Sequence, residues 1–164
     1  MWYVVQTMSG EEHKCVQLCE QRIDQSLYRE MFVPMYVRKM HFKKEWHDIP
    51  KTLFPGYFFV DTDAVDPVME QLAKVERFTK VLRKAEAVSP VTEEEQAFLQ
   101  NMMDENHTVR CSVGFIVGEK ICITDGPLRN HYGLIKKLTD TVALQSWRLT
   151  FLEDRRRQKW GWKF

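Results

Sequence analysis

The sequence predicts an α+β fold, in which an antiparallel-rich sheet flanked by helices is followed by a small β-barrel module. Over residues 1–105, strand-like segments alternate with amphipathic helical segments in the order β-α-β-β-α-β-α. From Gly114 the pattern changes to short strands separated by turn residues. The chain has 164 residues, 44% of them apolar, which is enough for two small domains with buried cores. We therefore expect a first domain at 1–105, a linker at 106–112 and a second module at 113–164.

The first domain should begin with a strand from Trp2 to Thr7 and a helix from Glu11 to about Gln25. Ser9 is expected to cap this helix. Cys15 and Cys19 are spaced i, i+4 and could hold a metal ion, but no second Cys or His pair follows at zinc-site spacing. Two small apolar residues on a buried helix face are the better interpretation.

The following segments return to strand character and then alternate with helices. Pro34 indicates an edge or a bulge in a strand at Met31–Val37, and the basic, aromatic stretch Arg38–His47 predicts a hairpin or an exposed loop. The remaining predicted elements are a turn and buried strand at Leu53–Asp61, a helix at Asp63–Val75, a strand at Phe78–Leu82, a helix at Thr92–Met103 that starts with a Thr92/Glu95 capping box, and two barrel strands at Ile121–Thr124 and Leu134–Leu138, with Asp125-Gly126-Pro127 as a turn between them.

The net charge of +1 conceals opposite balances in the two parts of the chain. Residues 1–105 hold 13 Lys and Arg against 18 Asp and Glu, whereas residues 106–164 hold 11 against 5. This asymmetry suggests two domains with different partners, the basic one meeting nucleic acid. An ordinary solvated surface explains the basic balance equally well.

The sequence offers no catalytic constellation. Its five histidines are scattered, and it lacks a Gly-rich phosphate loop, a nucleophile elbow and a His-x-x-x-His pair. We therefore expect a protein that is not an enzyme and that needs no cofactor or metal. No apolar run reaches the roughly 20 residues that span a bilayer, and the start lacks the features of a signal peptide, so we expect a cytoplasmic protein without membrane contact.

Three segments, taken together, resemble the NusG family of transcription elongation factors. They are Trp2–Thr7 followed by Ser9-Gly10, then Phe54-Pro55-Gly56-Tyr57-Phe58-Phe59-Val60, and finally the stretch from Val117 through Asp125-Gly126-Pro127 to Gly133, which is similar to the KOW motif. Each segment alone is weak, but their order and spacing over about 135 residues are specific. Within the family, Phe78–Leu82 and Gly126-Pro127-Leu128 are most similar to the specialised antiterminators of the LoaP type.

The resemblance implies a monomer that binds RNA polymerase and modulates pausing or termination, with processive antitermination favoured. The residues implied to bind the coiled coil of the polymerase clamp are Trp2, Tyr3, Phe54, Pro55 and Tyr57. We expect the Pro55-Gly56 turn to leave Phe54 and Tyr57 exposed as interface residues; for Trp2, interface and core remain equally open. The rival function is a ribosome-associated RNA-binding protein that uses the KOW-like module.

Two groups of basic residues are candidate nucleic-acid contacts. A basic stretch interleaved with aromatic residues can follow a phosphate backbone while the rings stack on bases. The first group is Arg38, Lys39, Lys43 and Lys44, with Phe42 and Trp46 among them, which the resemblance places at the upstream DNA; without the family, a solvated hairpin is the preferred interpretation. The second group is Lys120, Arg129, Asn130, His131, Lys136 and Lys137, implied to bind nascent RNA or a protein, with a normal basic barrel surface as the alternative.

The resemblance stops after Lys137. Residues 139–164 contain one Gly, the run Arg155–Arg157 and three Trp, and a divergent basic tail is one explanation. Reading each codon one nucleotide early forces Gly at position 161 and Glu at position 163. It also permits an alternating, strand-like string that resembles the missing end of the barrel. The sequence therefore supports the hypothesis that a frameshift near Leu138 replaced the last strands.

Overall fold

The computed structural model describes residues 1–75, 80–81, 83–84, 87–88, 90–117 and 120–129. Its architecture is α+β, as the sequence predicts. The helices are α1 (Glu12–Arg22), α2 (Val65–Leu72) and α3 (Glu93–Met102), with a 3-10 turn at Gln25–Leu27. The strands are β1 (Trp2–Gln6), β2 (Glu30–Phe32), β3 (Met35–Phe42), β4 (Glu45–Thr52), β5 (Tyr57–Asp61), β6 (Lys80–Val81), β7 (Arg83–Lys84), β8 (Ala87–Val88), β9 (Thr108–Val109), β10 (Val113–Val117) and β11 (Lys120–Asp125).

A four-stranded sheet with the order β2-β5-β1-β6 forms the centre of the first domain. All its pairings are antiparallel, and β1 and β5 pair along their whole length, from Trp2 opposite Asp61 to Gln6 opposite Tyr57. Both strands are apolar at successive positions, so side chains point alternately into two cores. The sheet is therefore covered on both faces.

The two cores separate by strand alternation. Val5 and Phe58 lie in the core that also contains residues of α1 and α2. Trp2, Tyr57 and Phe59 lie in the other core, together with Leu99 of α3 and other residues. This division follows from the period-2 geometry of strands: neighbours in sequence must face opposite sides of the sheet.

Helix α1 buries both of its cysteines. Cys15 and Cys19 have no exposed surface and belong to the core beneath the sheet. A side-chain hydrogen bond with Cys15, together with burial, raises the pKa of Cys19, so this thiol stays protonated. The preferred interpretation of the cysteine pair, a buried apolar helix face, is confirmed.

Helix starts were predicted with mixed success. The capping box at α3 is confirmed, because the Thr92 hydroxyl accepts from the Glu95 N–H at 3.3 Å and the Glu95 carboxylate accepts from the Thr92 N–H at 3.1 Å. The expectation that Ser9 caps α1 is wrong. Glu11 occupies the N-cap position without a side-chain cap, and the carboxylate of Glu12 accepts the preceding Gly10 N–H instead.

Strands β3 and β4 form a long antiparallel hairpin, the first of the two forms predicted for the basic stretch. Pairing runs from Met35 opposite Thr52 to Phe42 opposite Glu45. Pro34 interrupts the single strand that was expected there and separates β2 from β3, while its carbonyl accepts the Leu53 N–H at 2.8 Å.

The segment expected to be a linker is partly structured. Its strand β9 runs parallel to β3 and pairs Tyr36 with Val109. Before it, the Asp104 carboxylate accepts backbone N–H groups from Asn106 and Thr108 and the side-chain N–H of Arg110. The Arg110 hydrogen bond holds the pKa of Asp104 below its usual range, so the carboxylate stays ionised.

The second module is described only through its first hairpin. Strands β10 and β11 pair antiparallel, and Gly126, in the turn after β11, has a positive φ of 96°. The strand predicted at Leu134–Leu138 and the segment 139–164, for which a frameshift is hypothesised, lie outside the described residues. The proposed domain boundaries stay a prediction.

Candidate functional site

The Phe-Pro-Gly-Tyr sequence forms a tight turn at residues 54–57, immediately before β5. The Tyr57 N–H donates to the Phe54 carbonyl at 3.1 Å, and Gly56 has a φ of +82°. Proline at the second position and a glycine with positive φ at the third are the features of a type II turn. The turn presents Pro55 at the surface.

Hydrogen bonds fasten this turn to the segment between β1 and α1. The Thr7 N–H donates to the Gly56 carbonyl at 2.8 Å. The Gly56 N–H donates to Oε1 of Glu12 at 2.6 Å, and the Gly10 N–H lies 3.0 Å from both oxygens of the same carboxylate. Glu12 is only 2% exposed, so these backbone donors compensate for the burial of a carboxylate.

The expected exposure of the aromatic rings beside this turn is wrong. Phe54 and Tyr57 are only 3% and 5% exposed, because both side chains point into the core on the α3 side of the sheet. Trp2 and Tyr3 are buried as well, on opposite faces of the sheet. Of the five residues predicted to bind the polymerase, Pro55 alone is exposed, and polymerase contact by any of them stays a prediction.

Residues of the second module contribute to the core around the turn. Ile123 and Leu128 are buried in the same cluster as Phe54 and Tyr57. The Leu128 N–H donates to the Ser112 hydroxyl at 3.1 Å, which helps to fix the chain after β11. A partner that touches either aromatic ring directly must therefore first open this cluster.

Sequence reasoning missed two residues of this site. A carboxylate in the first turn of a helix, such as that of Glu12, is explained by the helix dipole alone, whereas in the structure it joins two chain segments. Sequence reasoning did not consider Met8, which is 57% exposed in the segment that packs against Gly56. The order Ser-Gly-Glu-Glu before a helix and Pro-Gly before a strand was visible, but only the fold brings the two together.

The β3–β4 hairpin carries aromatic rings on both of its faces. Directly opposite residues share a face, so His41 lies beside Trp46, with ring centroids 5.1 Å apart. Phe42 lies on the other face, 6.5 Å from the His47 ring. Phe42 and Trp46 are 61% and 62% exposed, so this part of the chain offers two apolar ring surfaces to solvent.

The same hairpin is positively charged. Residues 38–51 hold five Lys and Arg against two Asp and Glu. Lys43 and Lys44 form the turn, both with positive φ, and the Lys43 ammonium lies 5.4 Å from the centre of the Phe42 ring. Lys39 is paired with Asp48 at 3.7 Å, so part of its charge is neutralised on the hairpin itself. The structure thus brings the first group of predicted basic residues onto one exposed element.

The structure describes only two residues of the second predicted group of basic residues. Lys120 is the first residue of β11, and Arg129 is exposed after the Gly126 turn, where its N–H donates to the Gly126 carbonyl at 3.0 Å. Asn130, His131, Lys136 and Lys137 lie outside the described residues. Nucleic-acid binding by this group stays a prediction.

The described residues offer neither a grouping of metal ligands nor a helix that could span a membrane. In that part of the chain, no three His, Cys, Asp or Glu side chains are grouped so that they could hold a metal ion. None of the helices described here is long and apolar enough to cross a membrane.

The segment that carries this site matches a known protein family. Residues 1–100 match the sequence profile of the family described as "Transcription termination factor nusG". The chain belongs to the NusG family. The matched segment contains the Phe54–Tyr57 turn, Glu12 and the whole β3–β4 hairpin, so every part of the candidate site in the first domain lies within the NusG match.

Individual NusG relatives are distant but cover most of the chain. The chain is 28% identical over 147 residues to the transcription termination/antitermination protein NusG of Halalkalibacterium halodurans, covering 84% of this chain and 81% of that protein. It is 26% identical over 162 residues to NusG of Staphylococcus aureus, covering 93% and 85%. It is 23% identical over 142 residues to NusG of Rickettsia felis, covering 84% and 74%.

A solved structure supports the fold. The structure described as "Domain interaction in Thermotoga maritima NusG" superposes with a TM-score of 0.51 at 22% sequence identity, covering 85% of this chain and 81% of that chain. The predicted α+β class and the resemblance to NusG are confirmed.

Proposed function

We propose that this NusG-family chain is a transcription elongation factor that binds RNA polymerase and modulates pausing and termination, with processive antitermination favoured. The observation that carries the proposal is the Phe54–Tyr57 turn, held rigidly at the end of the sheet inside the segment that matches the family. A rigid turn favours binding because less conformational freedom is lost when the partner arrives.

The polymerase-binding surface consists of the exposed Pro55 and Met8, supported from below by Phe54 and Tyr57. Pro55 and Met8 lie on two segments that the Thr7–Gly56 hydrogen bond joins. Together they offer apolar surface, which suits the side of a helical coiled coil such as that of the polymerase clamp. Trp2 and Tyr3 act indirectly here, by packing the strand that precedes Met8.

The β3–β4 hairpin provides a second contact, to the upstream DNA. Its net positive charge attracts the phosphate backbone, and the exposed Phe42 and Trp46 rings can stack on unpaired bases. Arg38, Lys39, Lys43 and Lys44 supply the charge. Lys120, Arg129, His131, Lys136 and Lys137 supply the nascent-RNA or protein contact of the second module.

The factor acts through differential binding and performs no chemistry. A protein that binds the processive state of the polymerase more tightly than the paused state shifts the equilibrium toward processive elongation. In this proposal, the turn and the hairpin make the contacts on which that difference in affinity depends.

Direct binding tests this function against the rival one. The full-length chain, labelled with a fluorophore, is titrated with purified bacterial core RNA polymerase and, separately, with purified ribosomal particles. Saturable binding to the polymerase at a lower concentration than to ribosomal particles supports the proposal. Binding to ribosomal particles without binding to polymerase supports a ribosome-associated RNA-binding protein and overturns it.

A further inference from the structure

A buried carboxylate in the first turn of α1 links three segments of the chain. Glu12 is the first residue of the helix, and its side chain accepts from Gly10, before the helix, and from Gly56, in the turn that precedes β5. Gly56 is 44 residues away in sequence, so the contact is a tertiary one. Within the part of the chain that the structure describes, Glu12 forms no salt bridge, and backbone N–H groups are its hydrogen-bond donors.

Burying the Glu12 carboxylate costs more free energy than an exposed helix cap would. Burying a carboxylate is expensive unless strong hydrogen bonds compensate for the lost water. Exposed Asp or Ser side chains can cap a helix without that cost. The buried charge at Glu12 therefore points to a requirement for a fixed geometry of the Gly10 and Gly56 segments.

The two segments that Glu12 joins carry the exposed residues of the proposed polymerase surface. Met8 lies two residues before Gly10, and Pro55 immediately precedes Gly56. A Cβ atom at Gly56 would lie 3.3 Å from the Thr7 carbonyl oxygen, which shows how closely the two segments approach. Their relative position depends on the Thr7–Gly56 hydrogen bond and on the Glu12 carboxylate.

We infer that Glu12 is a positioning residue for polymerase binding: its carboxylate fixes the Pro55-Gly56 turn against the Met8–Gly10 segment, so that both present one preformed surface. This inference rests on the proposed function. It assigns to Glu12 a role in affinity beyond its contribution to the fold.

The test compares Glu12→Gln with Glu94→Gln in the full-length chain. Both substitutions remove one negative charge from the first turn of a helix, but Glu94 is exposed on α3. In Glu12→Gln, an NH₂ group replaces one carboxylate oxygen and faces the Gly10 N–H, because both oxygens lie 3.0 Å from that nitrogen. The hydrogen bonds that remain also lose the strength that a charged acceptor gives them. We expect about tenfold weaker binding to core RNA polymerase for Glu12→Gln and no change for Glu94→Gln, at a temperature where both are folded.

Hydrogen exchange separates positioning from general destabilisation. The Gly10 and Gly56 amides should exchange faster in Glu12→Gln, while amides in the middle of β1 and β5 keep their wild-type rates. A double-mutant cycle with Gly56→Ala, measured as polymerase affinity, provides a second test. Because both changes disturb the same turn, the double variant should lose less affinity than the product of the two single losses.

Glu12→Asp provides a further probe if the glutamine variant does not fold. The shorter side chain keeps the charge and can stay near Gly10, but it no longer reaches Gly56. Faster exchange at Gly56 with weakened polymerase binding supports the inference. Faster exchange with wild-type affinity overturns it, as do independent losses in the double-mutant cycle. A wild-type chain that fails to bind polymerase overturns the proposed function, and with it this inference.

Discussion

At the scale of single residues, the glycine at position 56 shows how one backbone requirement shapes the site. Gly56 and Gly10 both have positive φ, +82° and +89°, which disfavours any side chain. They differ in their surroundings: a Cβ at Gly56 would meet the Thr7 carbonyl oxygen at 3.3 Å, whereas a Cβ at Gly10 would meet nothing within 4 Å. Alanine substitutions at the two glycines can therefore separate the cost of a left-handed backbone from the cost of close contact between a Cβ and Thr7.

Gly10→Ala should lower the free energy of unfolding by about 1–2 kcal/mol, the usual cost of a left-handed backbone for an L-residue. Gly56→Ala should cost more, because its Cβ also presses on Thr7. Urea unfolding of the two variants measures the difference. Equal losses in the two variants would show that a Cβ at position 56 fits beside Thr7 at no additional cost in stability.

Burial also decides which residues are useful probes of binding. Tyr57 was expected to be an exposed interface residue, and Tyr57→Ala would then test binding alone. Because Tyr57 lies in the core, alanine there should lower the free energy of unfolding by about 3–5 kcal/mol, as in other buried aromatic truncations. Weak polymerase binding by that variant would therefore report misfolding as readily as a lost contact.

At the scale of elements, the β3–β4 hairpin combines strain with charge. A two-residue turn with positive φ at both positions normally contains Asn-Gly, yet this hairpin has Lys43-Lys44, with φ of 49° and 66°. A left-handed backbone costs each lysine about 1–2 kcal/mol relative to glycine. Two positive charges at the turn are thus retained against the local preference, which fits a contact with phosphate.

Replacing Lys43-Lys44 with Asn-Gly should separate these two effects. The hairpin should become more stable because the strain is relieved, while affinity for DNA falls because two charges are lost. The slope of log affinity against log salt concentration should flatten by up to about 2 for duplex DNA. Fluorescence titration over a salt series, with Lys14→Gln and Lys74→Gln combined as a control away from the hairpin, measures this. Unchanged salt dependence would contradict phosphate contact by the turn.

At the scale of the whole molecule, a core built from residues of the first 105 positions also contains residues that follow them in sequence. Val109, Ile123 and Leu128 are buried in the same core as Trp2 and other residues of the first domain. Each such apolar side chain contributes about 1.5–3 kcal/mol when fully buried. The part of the chain that follows α3 therefore stabilises the part that precedes it.

Truncation tests this dependence. A chain that ends at Asp104 lacks all three of these side chains and should melt at a clearly lower temperature than the full-length protein. A chain that ends at Arg129 keeps them and serves as the control. Thermal unfolding followed by circular dichroism gives both values. An unchanged melting temperature after truncation at Asp104 would show that residues 105–129 lie outside the cooperative core.

Much of the fold could be predicted because local signals agreed with it. The apolar strands at the start of the chain and before Asp61, the Thr92/Glu95 capping box and the Pro55-Gly56 turn are all encoded within a few residues. The Lys43-Lys44 turn could not be predicted, because its residues lack the usual preference for positive φ.

The missed features of the site depend on contacts between distant segments. The carboxylate of Glu12 meets Gly56 only after folding, and the burial of Tyr57 depends on a core completed by α3 and by Ile123. Neither contact can be predicted from the spacing of residues that are close in the sequence. The frameshift hypothesis for residues 139–164 falls outside the described part of the chain and stays a prediction.

The proposed function requires that this NusG-family chain acts on elongating RNA polymerase. Single-round transcription with purified polymerase, on a template with a defined pause site and an intrinsic terminator, tests it directly. Saturating full-length chain should shorten the pause lifetime and increase read-through, and Glu12→Gln should require a higher concentration for the same effect. Pause lifetimes and read-through that remain unchanged at every concentration of the wild-type chain would contradict the claim.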